Sequence, residues 1–170
     1  MLDTMLQEEH TMKPEQTDKS NAGSATNDLM TRVWVTRQGV HVDRIACAWL
    51  IRRFIDRDAR FKFVAAKNYN SQKRELRFDM FEGEFTHEGD RCTFEVLLSR
   101  IGLDDPALKA ISEIVHDIDL KDDKFAREET SGIAHLILGI TMASDSDEQR
   151  ILRGAAMLDD LYAYFRNERR

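Results

Sequence analysis

A chain of 170 residues is long enough for one domain with its own hydrophobic core, and 42% apolar against 33% charged residues is the balance of an ordinary globular protein. The formal charge of −6 is unevenly spread: residues 1–30 carry six acids and two lysines, which leaves the rest of the chain at −2. There is no general basic face for displacing counterions from nucleic acid, no run of transmembrane length, and no basic-then-apolar signal peptide at the acidic start.

Residues 1–30 are polar and rich in small residues, so a flexible acidic tail is expected there, with residues 31–170 forming the folded domain. "RVWVTR" (Arg32 to Arg37) is β-branched and aromatic and predicts a strand. A first helix is expected from about Val42 to Asp56, apolar around most of its circumference from Ile45 to Ile51, with arginines at its C-terminal end. "FKFVA" predicts a second strand, and "ELRFDMFEGEFTHEG" a strand and turn. "TFEVLLSRIG" reads as a short helix with Asp90 as N-cap and Gly102 as its stop. Pro106 opens the next helix, whose apolar stripe is Leu108, Ile111, Val115 and Ile118. "REETSGIAHLILGITMA" predicts a fourth helix, and Ile151, Ala155, Leu158, Tyr162 and Phe165 stripe a last one over about Asp147 to Asn167. The expected fold is α+β: a predominantly helical single domain of about five helices, with a small β-sheet near the start.

The two cysteines form no CxxC pair and no disulfide framework, which fits a reduced, cytoplasmic protein. Cys47 reads as a small buried hydrophobe, and Trp34 and Trp49 as core. Cys92 sits at a helix start, where its thiol pKa is open to lowering, yet no resolving cysteine is at hand for a redox role. His135, on an otherwise apolar helix, is expected to be a satisfied core or groove histidine.

Three other histidines stand close to carboxylates. His41 has Asp43; His87 has Glu88, Asp90 and Glu95; His116 has Glu113, Asp117 and Asp119. Glu113, His116 and Asp119 are three residues apart and so share one helix face. Imidazoles with carboxylates suit a divalent metal such as iron, manganese or zinc, with open positions left for water or substrate. The plainer alternative is that acids gather at helix ends and are solvated, Asp117, Asp122 and Asp123 among them. Arg44, Arg52, Arg53 and Arg57 offer an oxyanion surface or simply pair with acids; Arg44 and Arg91 lie nearest the candidate ligands. No phosphate-loop, dinucleotide or nucleophile-elbow glycine pattern is present.

The blocks "HVDRIACAWLIRRFID", "EFTHEGDRCTFEVLLSRIGLDDPALKAI" and "EIVHDIDLKD", in this order, resemble the C-terminal domain of ChrB-type chromate-resistance proteins over about residues 33–165. The resemblance implies an association with bacterial chromate resistance, in which a separate transporter exports chromate. Longer members of that family carry an N-terminal region linked to chromate-responsive transcriptional control. Here a short acidic tail stands in that place, so nucleic-acid binding is not carried over to this chain alone. The blocks place His41, Asp43, Arg44, His87, Glu95, His116, Asp117 and Asp119 in recognisable motifs.

Three functions are therefore expected to compete. The first is a metal-binding sensor or accessory factor of the chromate stress response, with His41, His87, His116 and Asp119 at the metal and Arg44 and Arg91 binding anions. Its partners would be a metal ion or a chromium species, and a second copy in a homo-oligomer, with no membrane. The second is a metalloenzyme, for oxidant or chromium detoxification or for hydrolysis, in which Glu95 or Asp117 shuttles protons. The third is a metal-free interaction domain.

Overall fold

Val33–Arg37 forms β1, a strand of β-branched and aromatic residues that buries Trp34, Val35 and Thr36. It is the middle strand of a parallel sheet of order β2-β1-β3, with β2 at Arg60–Val64 and β3 at Glu75–Arg77. The register runs from Val33↔Arg60 to Arg37↔Val64 on one side and from Val33↔Glu75 to Val35↔Arg77 on the other. This computed structural model describes residues 29, 32–65 and 69–167. The expected acidic tail lies outside the described residues except for Leu29, which packs part-buried against the core.

Parallel neighbours need a crossover, and α1, Val42–Leu50, makes the one between β1 and β2. Every residue of α1 except Arg44 is buried, as its unbroken apolar run predicts. The helix widens into a π-turn at Ile51–Ile55 and ends at Asp56. Around it pack α2 (Thr93–Ile101), α3 (Pro106–Leu120) and α5 (Asp147–Asn167). A Cβ on Gly154 would stand 2.3 Å from Ile45 Cγ2, so only glycine lets α5 lie this close to α1. The α5 stripe faces inward as the sequence predicts, with Ile151, Leu158, Tyr162 and Phe165 buried.

The fold is thus α+β, with five α-helices and one small sheet among the described residues. No described helix is long and apolar enough to cross a membrane. Two local expectations need correction, and a third is narrowed. The N-cap of α2 is Cys92 rather than Asp90, which instead pairs with Lys124 at 2.7 Å. Asp117 is buried, not solvated, because its carboxylate accepts from the backbone N–H of Phe125 and Ala126 and ties down the loop after α3. Of core and groove, His135 takes the groove: it is exposed and lines a cleft, because α4, Thr130–Met142, buries only Ile137 and leaves Leu136, Leu138 and Met142 in solvent.

Candidate metal centre

Asp43 occupies the first turn of α1 on the face turned inward, so its carboxylate is 1% exposed. A buried charge needs compensation. It comes from the start of α2, where the backbone N–H of Thr93 and Phe94 donate to Asp43 at 2.8 and 2.9 Å, and the Cys47 thiol adds a longer bond. Asp79 lies just beyond β3 with φ of 45°, a left-handed turn that aspartate tolerates better than most residues. Arg44 Nε stands 2.9 Å from its carboxylate, and the Thr93 hydroxyl donates to it at 3.2 Å. Asp119 reaches in from the last turn of α3.

These three carboxylates converge on one imidazole. His87 Nε2 lies 3.3 Å from Asp43 Oδ2, 3.4 Å from Asp79 Oδ1 and 3.3 Å from Asp119 Oδ2. One N–H donates well to one acceptor, and charge-assisted bonds run to about 2.7–2.9 Å, so three longer contacts are a poor hydrogen-bond arrangement. The spacing of Asp43, His87 and Asp119, whose donor atoms all lie within 4.8 Å of one another, fits a coordination shell better, with Asp79 flanking it on Arg44. Donor atoms about 2.1 Å from an ion stand about 3.0 Å apart along an octahedral edge and about 3.4 Å along a tetrahedral one.

The electrostatics are those of an acid-rich pocket. Bonds to Asp43 and Asp79 raise the His87 pKa to about 10 in the absence of an ion. Burial, together with the neighbouring Asp43 and Asp79, pushes Asp119 up to about 6. Burial also works against ionised Asp79, but His87 and Arg44 overcome it and hold that carboxyl below its usual range. His87 keeps 39% of its side chain exposed, so the centre opens to solvent on that side.

The other expected site residues go elsewhere. His116 is fully buried and pairs each ring nitrogen with its own carboxylate, Nδ1 with Glu95 at 2.7 Å and Nε2 with Asp122 at 3.1 Å. Glu95 also accepts from the Cys92 backbone N–H, closing a capping box at the start of α2. Cys92, Glu95 and His116 are close enough to be considered as ligands. Burial and Asp43 push the Cys92 thiol far above its ordinary pKa, however, which disfavours the thiolate a metal requires. His41 is exposed and shares a shallow cleft of about 400 Å³ with Asp117, Lys121 and His135. Arg91 pairs with Glu88 at 2.8 Å. Glu113 pairs with Arg127, so the shared helix face of Glu113, His116 and Asp119 fans out to three different neighbours.

Asp43 completes the ligand set and Asp79 flanks it, and neither is among the ligands expected from the sequence. Asp43 carried a signal: it precedes Cys47 by one helical turn, in line with the buried side of an apolar helix. Asp79 carried none, because its place follows from the turn after β3.

Comparison with known proteins agrees with the quoted blocks. The model of the ChrB C-terminal domain matches residues 34–165. The chain belongs to this family. Protein ChrB of Cupriavidus metallidurans is 39% identical over 140 residues, which are 82% of this chain and 42% of that relative. The ChrB-type match thus spans less than half of the longer protein. No solved structure matches the chain. His87, Asp43, Asp79 and Asp119 all fall within the span of the family model.

Proposed function

We propose that this chain is a ChrB-type chromate-resistance protein that binds a divalent transition metal at the His87 centre. It would serve the cytoplasmic chromate response as a sensor or accessory factor. The observation that supports metal binding is the convergence of three carboxylate oxygens on His87 Nε2. An oxygen-rich set of one imidazole and two carboxylates, with Asp79 beside it, favours iron or manganese over zinc, which prefers nitrogen and sulfur. Chromate is an anion, and the same carboxylates repel it. A cation fits them, whether a resident metal or chromium after reduction. The reduced state of Cys47 and Cys92 is in keeping with the cytoplasm.

Binding is favoured over catalysis by the engagement of the nearby proton carriers. Glu95 is held by His116 and the Cys92 backbone, and Asp117 by the loop after α3. A sensor needs occupancy to move something. Asp43 joins the centre to the start of α2, and Asp119 to the end of α3, so an ion would pull on both elements together.

The test is elemental analysis of the untagged protein beside His87→Ala and His116→Ala. The expected result is about one equivalent of iron or manganese, absent from folded His87→Ala and retained in His116→Ala. Undiminished metal in His87→Ala overturns the assignment. The sensor role requires in addition that metal loading change the oligomeric state in solution; an unchanged sedimentation profile leaves the accessory role.

A further inference from the structure

A second region carries opposite charge. Between the π-turn and α5 lies a groove of about 540 Å³ lined by Arg52, Arg53, Arg57 and Arg166, with Asp159 as its acid. Arg53 is paired with Asp159 at 2.6 Å, and the Trp49 indole N–H donates to the same oxygen at 2.9 Å, so the one acid of the groove lining is balanced by a guanidinium. Arg52, Arg57 and Arg166 have no carboxylate within 4 Å among the described residues, in a chain whose formal charge is −6, though Arg166 bonds the Tyr162 hydroxyl that Asp105 holds and feels that acid. Three of the four arginines are nonetheless held. Arg52 lies 4.7 Å over the Phe61 ring, Arg53 5.1 Å over Tyr162, and Arg166 5.7 Å over Tyr162. Stacking on rings orients a guanidinium without neutralising it, which leaves its N–H groups free to donate.

The rest of the lining is apolar. Leu152 and Ala155 lie on the same face of α5 as Asp159, Tyr162 and Arg166, and Leu152 is 67% exposed. Guanidiniums beside an apolar wall match a ligand with an anionic end and a flat or aliphatic body. The volume is that of an ordinary small-molecule site.

We infer that this groove binds a small organic phosphate of about the size of a nucleoside diphosphate. Its phosphates would accept from Arg52, Arg57 and Arg166, and its organic body would lie on Leu152 and Ala155. The site is separate from the His87 centre and does not depend on it.

Isothermal titration of the full chain with adenosine diphosphate, pyrophosphate and adenosine, all in excess chelator, tests this. Both phosphates should saturate one site, the diphosphate nucleoside several-fold more tightly, and adenosine should not bind. Arg57→Gln and Arg166→Gln, both at exposed positions, should each weaken both phosphates about tenfold. Leu152→Asn should weaken the nucleotide and leave pyrophosphate unchanged. His87→Ala should bind all three as the parent does. The inference fails if the nucleotide does not saturate at millimolar concentration, if the arginine variants bind as the parent does, or if nucleotide and pyrophosphate bind equally.

Discussion

His87 and His116 have nearly the same neighbours in sequence terms, a histidine among acids near a helix end, yet they face opposite situations. His116 is buried, has two carboxylates for two nitrogens, and packs edge-on against Phe125 at 5.0 Å. His87 is partly exposed and has three carboxylates around one nitrogen. Matched donors and acceptors make a structural joint, here tying α2 to α3 and its following loop. Surplus acceptors around one donor store repulsion that a cation relieves. The number of acceptors per donor, not the residue types, separates the two sites.

The largest expected effect breaks the comparison if it fails. His87→Ala should lower metal affinity by more than the roughly 10–100-fold typical of losing a group that merely supports a ligand. His116→Ala should lower it by less than that. Measured by competition with a chelator of known affinity, equal losses in the two variants would merge the sites into one. Stability should show the reverse order in the metal-free protein. His116→Ala leaves Glu95 without its partner in a buried joint, which costs about 3 kcal/mol. His87→Ala leaves three acids without their cation but should cost less than that, about 1–2 kcal/mol, since its contacts are long and partly solvated. Urea unfolding of both variants decides the order.

Much of this contrast was hidden from the sequence for a physical reason. Helix positions and core stripes depend on local periodicity, so α1, α3 and the Ile151-to-Phe165 face of α5 were legible, as was the buried role of Trp34, Trp49 and Cys47. Acceptor counts depend on contacts between distant segments. Asp43 meets Thr93 fifty positions away, and Asp79 reaches the centre only through the turn after β3. Of the metal residues the sequence points to, His87 and Asp119 meet, whereas His41 and His116 lie elsewhere. His135 lines a groove rather than the core for a similar reason: an apolar helix is expected to bury all its faces, and α4 buries one residue.

Asp119 sharpens the comparison further. Its carboxyl is raised from an ordinary 3.8 to about 6, so ionising it in the folded protein costs stability between those values, and the cost stays at neutral pH. Asp119→Asn should therefore stabilise the metal-free protein at pH 7.5 by about 1–2 kcal/mol, after allowance for solvent around a partly exposed group. The same variant should lose the stabilisation that added metal gives the parent. A melting temperature that falls in the metal-free variant would count against a centre strained by its own acids.

The smallest expected effect is the pH dependence, and its sign differs between the two histidines once metal is present. Burial opposes charging His116, but its bonds to Glu95 and Asp122 outweigh that and raise its pKa above 6.5. A raised histidine contributes stability that is complete below the unfolded value and fades as pH rises through the folded one. The stability difference between the parent and His116→Asn should thus shrink from pH 6 to pH 9, with or without metal. His87 follows the same rule without metal, its contribution fading only towards pH 10. With saturating metal the imidazole must be neutral to coordinate, so binding releases its proton and strengthens as pH rises. Urea midpoints against pH, with and without manganese, should give parallel slopes for the His116 difference and opposite slopes for the His87 difference. Parallel slopes for both would mean that His87, like His116, only holds the fold together.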